Sequence, residues 1–234
     1  MTGKINSIET MGLVDGPGIR FVVFLQGCKL RCVFCHNPET WNNIPVIEMT
    51  PEELVEKILR YKPYFENNGG VTFSGGEPLL QPEFLIETCK LLKKENIHIA
   101  LDTSGVGIGQ YEEVLKYIDL VILDIKAYEP DLYKKITGSD MKEYIEFLDA
   151  CTKQNKKLWL RQVIIPGIND SKVYIKGLKE YINNISNDEK VEFLPYHTLG
   201  KEKYKKLNIK NPLEDVLDMN KEKCDELFKY FNKI

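Results

Sequence analysis

Short apolar, β-branched runs alternate along the chain with longer segments whose apolar positions repeat at helical spacing, the pattern of βα units arranged on a parallel sheet. Six runs stand out: Phe21 to Leu25, Val71 to Ser74, Ile97 to Asp102, Leu120 to Ile125, Leu158 to Ile165 and Val191 to Pro195. Most of them lead into a polar or glycine-containing turn. The intervening segments predict helices over Thr50 to Glu66, Pro82 to Glu95, Tyr111 to Tyr117, Asp140 to Gln154 and Ser171 to Asn184, with a last one near Lys221 to Asn232. The first begins plainly, because Thr50 supplies a capping hydroxyl, Pro51 fits the first helical position, and Glu52 and Glu53 place carboxylates in the first turn.

Six βα units fall short of the eight that close a complete barrel. The pattern therefore predicts an α/β fold, a partial (β/α)6 TIM-like barrel open on one side, with its chemistry at the carboxyl ends of the strands. A length of 234 residues and a hydrophobic content of 43% suit one domain spanning residues 1–234, and no repeat or linker argues for a second. The formal charge of −3 gives no electrostatic reason to expect nucleic acid or a membrane surface as partner. The amino terminus has no apolar run after its lysine, and no stretch is apolar enough to span a bilayer. A cytoplasmic setting follows, where thiols stay reduced and clustered cysteines point to metal or catalysis. The locally basic stretch Lys201 to Lys210 reads as a solvated loop.

Soon after the first predicted strand come Cys28, Cys32 and Cys35, a C-x3-C-x2-C run in a loop. Thiolates select zinc or iron-sulfur clusters, and a four-iron cluster offers four corners of which these cysteines fill three. A closed zinc site would have to recruit His36 or the distant His197, and the second C-x2-C hook usual for zinc is absent. Cys89, Cys151 and Cys224 fall among apolar residues at helical spacing and read as small hydrophobes. The second strand ends in Gly75-Gly76-Glu77-Pro78, where adjacent glycines let the backbone approach a ligand and Glu77 adds a charge. Asp124 lies inside an apolar strand, and a buried carboxylate is costly unless paired or bound to a cation. Lys126, two residues on, shares its face. His98, between two isoleucines early in a strand, reads as structural.

The cysteine run in the first βα loop, together with the Gly75 to Pro78 turn, resembles the radical S-adenosylmethionine superfamily. The resemblance implies a 4Fe-4S cluster on Cys28, Cys32 and Cys35, and S-adenosylmethionine chelated at the open iron, with Gly75, Gly76 and Glu77 near its amino group. It also implies reductive cleavage of that molecule to a 5′-deoxyadenosyl radical. Further segments, Val14 to Arg20, Leu101 to Gly105, Ile122 to Lys126, Trp159 to Gly167 and Phe193 to His197, are similar to the activating enzymes of pyruvate formate-lyase. That family implies an oxidoreductase of anaerobic metabolism that takes a hydrogen from a partner glycine and leaves a glycyl radical.

Residue by residue, the same likeness places Asp15 and Arg20 near the incoming peptide of the protein substrate. Asp102, Thr103, Asp124 and the carbonyl of Ile122 would surround a monovalent cation. Asp124, Ile125, Lys126, Arg161 and His197 would lie on the cofactor side, and Phe34 and His36 would flank the adenine. Pyruvate formate-lyase is the implied substrate, flavodoxin or ferredoxin the implied electron donor, and the monomer the implied state. No cysteine falls between Cys35 and Cys89, so the inserted ferredoxin-like domain of some activases is missing. An activase of another glycyl radical enzyme, a radical enzyme acting on a small molecule, and a zinc-stabilised binding protein are the competing readings.

Overall fold

The computed structural model describes residues 1–234. Eight strands form one sheet: β1 (Gly3–Gly12), β2 (Arg20–Leu25), β3 (Ile47–Met49), β4 (Gly70–Gly75), β5 (His98–Thr103), β6 (Leu120–Asp124), β7 (Lys157–Ile164) and β8 (Asp188–Pro195), in the order β3-β1-β2-β4-β5-β6-β7-β8. The six strands β2 and β4 to β8 run parallel, and each of the six predicted apolar runs forms one of them. The single-sheet α/β architecture is that of a partial TIM-like barrel. Two antiparallel edge strands, β1 and β3, extend it beyond β2. They escape the apolar pattern because β1 alternates buried and exposed residues along GKINSIETMG and β3 is three residues long.

Helices follow the strands: α1 (Pro51–Leu59), α2 (Pro82–Lys94), α3 (Tyr111–Leu115), α4 (Pro130–Thr137), α5 (Lys142–Lys153), α6 (Lys172–Ile182), α7 (Lys201–Lys206) and α8 (Lys221–Lys233). The capping box expected at Thr50 forms with Glu53. α1 ends short of Glu66 because Pro63 cannot continue it, and Lys62–Tyr64 turn as a separate 3-10 element. α4 is an addition, started by Pro130 and closed by Gly138 at φ 76°. The basic stretch expected as a loop is helical over Lys201–Lys206, anchored by buried Tyr204. No helix is long and apolar enough to cross a membrane.

The helix-side core is one cluster of 52 buried residues, in which Cys89, Cys151 and Cys224 take their expected packing roles. The other face of the sheet carries only a small apolar plug of Ala100, Leu120 and Ile122 against Trp159. Above that plug the same face turns polar, since the register sets Asp102 beside Ile122, Asp124 beside Arg161, and Arg161 beside Glu192. Burying those groups on a fold this size needs partners, and the strands' carboxyl ends supply them.

Candidate functional site

The cysteine loop leaves β2 at Gly27 and folds across the sheet's carboxyl edge. Leu30, Cys32 and Phe34 are buried while Arg31 is exposed and Val33 half-buried, so burial alternates along the loop. Backbone bonds from Arg31 N to Thr137 O (2.8 Å) and Val33 N to Ile136 O (2.9 Å) tie the loop to the end of α4. Lys29 Nζ clamps it from another side, donating to Gly107 O (2.5 Å) and Glu143 (2.9 Å). The guanidinium of Arg31 donates to Cys28 O (2.9 Å) and Leu30 O (2.8 Å), which fixes the turn between the first two cysteines. A loop held at this many points presents its side chains with little freedom.

Cys28, Cys32 and Cys35 line one cleft of about 310 Å³ together with Asp15, Phe34, His36, Gly75, Gly76, Asp102, Thr103, Asp124, Lys126 and Arg161. Thirteen of the residues singled out in the sequence thus meet in one place. Burial pushes the Cys28 thiol up to about 12, with Glu77 and Cys32 adding to it. Cys32 is raised to about 11 by burial, against the pull of Lys126. Cys35 is raised by burial as well, and the Trp41 indole N–H directed at its sulfur works the other way. Thiolates must form before they can ligate, so metal binding at this site releases protons.

The glycine pair is dictated by close approach. Gly75 sits at φ 114°, and a side-chain carbon on Gly75 or Gly76 would collide with the backbone of Leu25 or Gly27. The N–H groups of Gly76 and Glu77 are spent on Leu25 O (2.9 Å) and Gly27 O (2.8 Å). Glu77 itself turns inward: its carboxylate accepts from Thr103 Oγ1 (2.6 Å), Ser104 N (2.9 Å), Ser104 Oγ (2.5 Å) and Leu79 N (3.0 Å). It is 1% exposed and lines no part of the cleft. Burial raises its pKa, and those four bonds oppose the rise. The side chain of Glu77 is therefore a brace between the ends of β4 and β5, and the ligand-facing part of this turn is Gly75-Gly76.

Charged groups alternate along the cleft wall. Asp102 accepts from Ser74 Oγ (2.7 Å), Asp124 pairs with Lys126 Nζ (2.6 Å), and Arg161 Nε donates to Glu192 (3.0 Å). Burial, then the neighbouring Asp124, pushes Asp102 up to about 7. Burial works against the Lys126 ammonium, yet Asp124 and Cys32 outweigh it and hold its pKa above the usual range. Lys126 also lies 5.2 Å over the Phe34 ring. Arg161 Nη2 donates to Val14 O (2.6 Å), which draws the loop carrying Asp15 against the barrel.

Several expected contacts fall elsewhere. Arg20 is fully buried, donating to Thr72 Oγ1 (2.9 Å), Pro17 O (3.4 Å) and Val71 O, and facing His98 Nδ1 at 3.3 Å. It pins the start of β2 to β4 and β5 and cannot touch a docked peptide; burial lowers it to about 10. Ile122 and Ile125 are buried and line no part of the cleft. The Thr103 hydroxyl is committed to Glu77 and to Gly105 N (2.9 Å), so only the remainder of that residue borders the cleft. His197 stands behind His36, its ring stacked at 3.9 Å and its carbonyl bonded to His36 Nε2 (3.0 Å). Ser74, Trp41 and Glu192 belong to the site but escaped sequence reasoning. For Ser74 and Glu192 the available signal was a polar residue interrupting a short apolar run at the carboxyl end of a strand.

The residues suit a cluster and S-adenosylmethionine. No three His, Cys, Asp or Glu side chains stand close enough to hold a single metal ion, whereas a four-iron cluster takes its thiolates at separate corners. Two buried hydroxyls beside these cysteines, Tyr133 Oη and Tyr204 Oη, have no hydrogen-bond partner in the protein, and cluster sulfur would accept from them. For the cofactor, carboxylates suit a sulfonium and an ammonium, Lys126 and Arg161 suit a carboxylate, and the Phe34 and His36 rings suit a purine.

A family model described as the Radical SAM superfamily matches residues 22–174, and the chain belongs to that superfamily, whose enzymes use a 4Fe-4S cluster and S-adenosylmethionine. The pyruvate formate-lyase-activating enzyme of Clostridium pasteurianum is 57% identical over 233 residues, spanning 99% of this chain and 98% of its own. That of Staphylococcus epidermidis is 44% identical over 241 residues, spanning 99% and 96%. Within the superfamily, the chain belongs to the pyruvate formate-lyase-activating enzymes. Solved structures carry the same fold. A domain of pyruvate-formate lyase-activating enzyme from Bacteroides vulgatus has a TM-score of 0.57 at 23% identity, covering 70% of this chain and 94% of that one. A radical SAM methyltransferase from Sphaerobacter thermophilus has a TM-score of 0.66 at 16% identity, covering 92% and 64%.

Proposed function

We propose that this chain activates pyruvate formate-lyase by taking a hydrogen atom from a glycine of that protein. The supporting observation is full-length identity of 57% to an enzyme of that name, joined to a cleft where three cysteines, a glycine pair and two acid–base pairs converge. Cys28, Cys32 and Cys35 would hold the 4Fe-4S cluster. When bound, the cluster supplies the electron that cleaves S-adenosylmethionine, and the 5′-deoxyadenosyl radical so produced takes the glycine hydrogen. Gly75-Gly76, Lys126 and Arg161 would hold the amino-acid end of S-adenosylmethionine. Phe34 and His36 would flank its adenine, and Asp102 with Asp124 would bind a monovalent cation beside it. Asp15, drawn into the cleft by Arg161 and by Thr72 Oγ1 donating to its carbonyl (2.6 Å), would meet the incoming peptide.

The chain would work as one domain over residues 1–234, as a cytoplasmic monomer that receives its electron from flavodoxin or ferredoxin. The test is anaerobic incubation with reductant, S-adenosylmethionine and pyruvate formate-lyase deuterated at its target glycine. A glycine-centred radical by electron paramagnetic resonance, with deuterium in the released 5′-deoxyadenosine, is expected. Label transfer from a different glycyl radical enzyme, and none from pyruvate formate-lyase, would overturn the partner while leaving the chemistry intact.

A further inference from the structure

The cluster must gain one electron from outside, and the fold offers two cationic surfaces beside its loop. α7 carries the lysine-rich stretch and touches the loop through Gly200, Tyr204 and Lys203. Three of the stretch's five lysines are spent, and Lys206 and Lys210 stay exposed and unpaired at the end away from the loop contacts. Lys203 pairs with Glu39 (2.5 Å), Lys205 with Glu202 (2.8 Å), and Lys201 Nζ donates to the carbonyls of Glu214 (2.5 Å) and Val216 (3.1 Å). Glu214, Asp215 and Asp218 follow directly in the chain.

The other surface is different. The last turn of α4 holds Lys134 and Lys135, both exposed and in no ion pair. Two backbone bonds join that turn to the cysteine loop at Arg31 and Val33, and Gly138, which caps α4, sits against the Cβ of Arg31. Arg31 is also exposed and makes no ion pair. Lys29 adds nothing, being neutralised by Glu143; the free acids of this segment are Glu129 and Asp131 at the far end of α4 and Asp140 beyond it, and none of them forms an ion pair with either lysine.

Arg31 also marks a short route inward. Its guanidinium lies 4.9 Å over the ring of Trp41, which lines the cleft with Cys35 and is held edge-on by Tyr204 at 5.9 Å. From solvent to a cluster cysteine the path is therefore one stacked pair of side chains. A surface that carries unpaired cations at the end of such a path suits an anionic protein with an exposed reducing group.

We propose that Arg31, Lys134 and Lys135 form the docking surface for an acidic one-electron carrier of the flavodoxin type. The reduced flavin gives up one electron and the cluster gains it, with no bond made or broken. The inference rests on the reading of Cys28, Cys32 and Cys35 as cluster ligands. Arg31 also bonds the loop carbonyls, so the lysines are the residues to change.

The experiment follows cluster reduction by flavodoxin hydroquinone in stopped flow, using cluster-loaded wild-type protein and the Lys134→Glu/Lys135→Glu variant. At low salt the variant should be reduced about tenfold or more slowly, with the gap closing as salt rises. Photoreduced deazaflavin, which needs no docking site, should reduce both equally, and Lys229→Glu on α8 should behave as wild type. The milder Lys134→Gln/Lys135→Gln variant should fall between. Equal flavodoxin rates in wild type and variant, or an equal loss with deazaflavin, would overturn the docking surface. Iron content of the Cys28→Ala, Cys32→Ala and Cys35→Ala proteins tests the ligand reading separately: a full complement of cluster in all of them would sink that reading whatever the lysines do.

Discussion

Replacing Glu77 by Gln separates a brace from a cofactor contact. The wild-type carboxylate takes two donors on each oxygen: Thr103 Oγ1 and Leu79 N on one, Ser104 N and Ser104 Oγ on the other. Glutamine keeps one accepting oxygen and puts an NH2 group against the other pair. The hydroxyls can rotate to accept, but the backbone N–H of either Leu79 or Ser104 is left facing another donor. Losing a charge-assisted bond and stranding a buried N–H costs about 3 kcal/mol. For a chain of this length that is a fall in melting temperature of about 6 to 12 °C. The assay is thermal melting of the cluster-loaded protein, paired with titration of S-adenosylmethionine well below the melting range. Affinity should weaken by less than about tenfold, because Gly75-Gly76 remains in place. An unchanged melting temperature with affinity lost by far more than tenfold would refute the reasoning and return the carboxylate to the cofactor.

Arg20→Met should destabilise the fold by about 3 to 5 kcal/mol, since it leaves the acceptors of Thr72, Val71 and Pro17 unpaired in the interior. Denaturant melts measure this, and a stable variant that cleaves S-adenosylmethionine but no longer recognises pyruvate formate-lyase would instead make Arg20 a substrate contact. His98 supplies a pH signature. Burial, then Arg20, lowers its pKa below the usual 6.5, so between the two values the unfolded chain binds more protons than the folded one. Stability from this group is full above about pH 6.5 and is lost as pH falls through that window. His98→Gln should flatten that acid slope in melts from pH 7.5 to 5, and an unchanged slope would mean that His98 does not titrate on unfolding.

The parts of the site that sequence revealed are those whose meaning is local. Cys28, Cys32 and Cys35 are close in the chain, so their spacing alone brings three thiols to one loop. Asp124 betrays itself because a carboxylate between Leu-Val-Ile-Leu and Ile125 is anomalous in so apolar a run. The β4 turn was also legible, since glycines at Gly75 and Gly76 answer a steric demand of the backbone. What could not be read was the direction of side chains whose partners are distant. Glu77 looks ligand-facing until Ser104, 27 residues on, is seen to claim one of its oxygens. Arg20 reads as a contact for the incoming peptide until β4 and β5 close over it. His197 reaches the strand end as expected, but stacks on His36 from behind.

Charge shows the same difference between chain and fold. Lys201 to Lys210 is the densest run of lysine in the sequence, yet folding sets Glu39, Glu202 and backbone carbonyls against three of its five ammonium groups. Arg31, Lys134 and Lys135 are scattered over a hundred positions and attract no notice in the sequence. The bonds from the cysteine loop to Ile136 and Thr137 bring them together, and no acid pairs with them. Surface potential depends on which charges remain unpaired at a place rather than on how many lie along a stretch. A helix absent from the sequence reading, α4, is thus what gives the cysteine loop its positive face. The same helix, through Tyr133, also directs an unpartnered hydroxyl toward Cys32. One eight-residue element therefore meets both sides of the loop, with a hydroxyl near Cys32 within and unpaired cations outside.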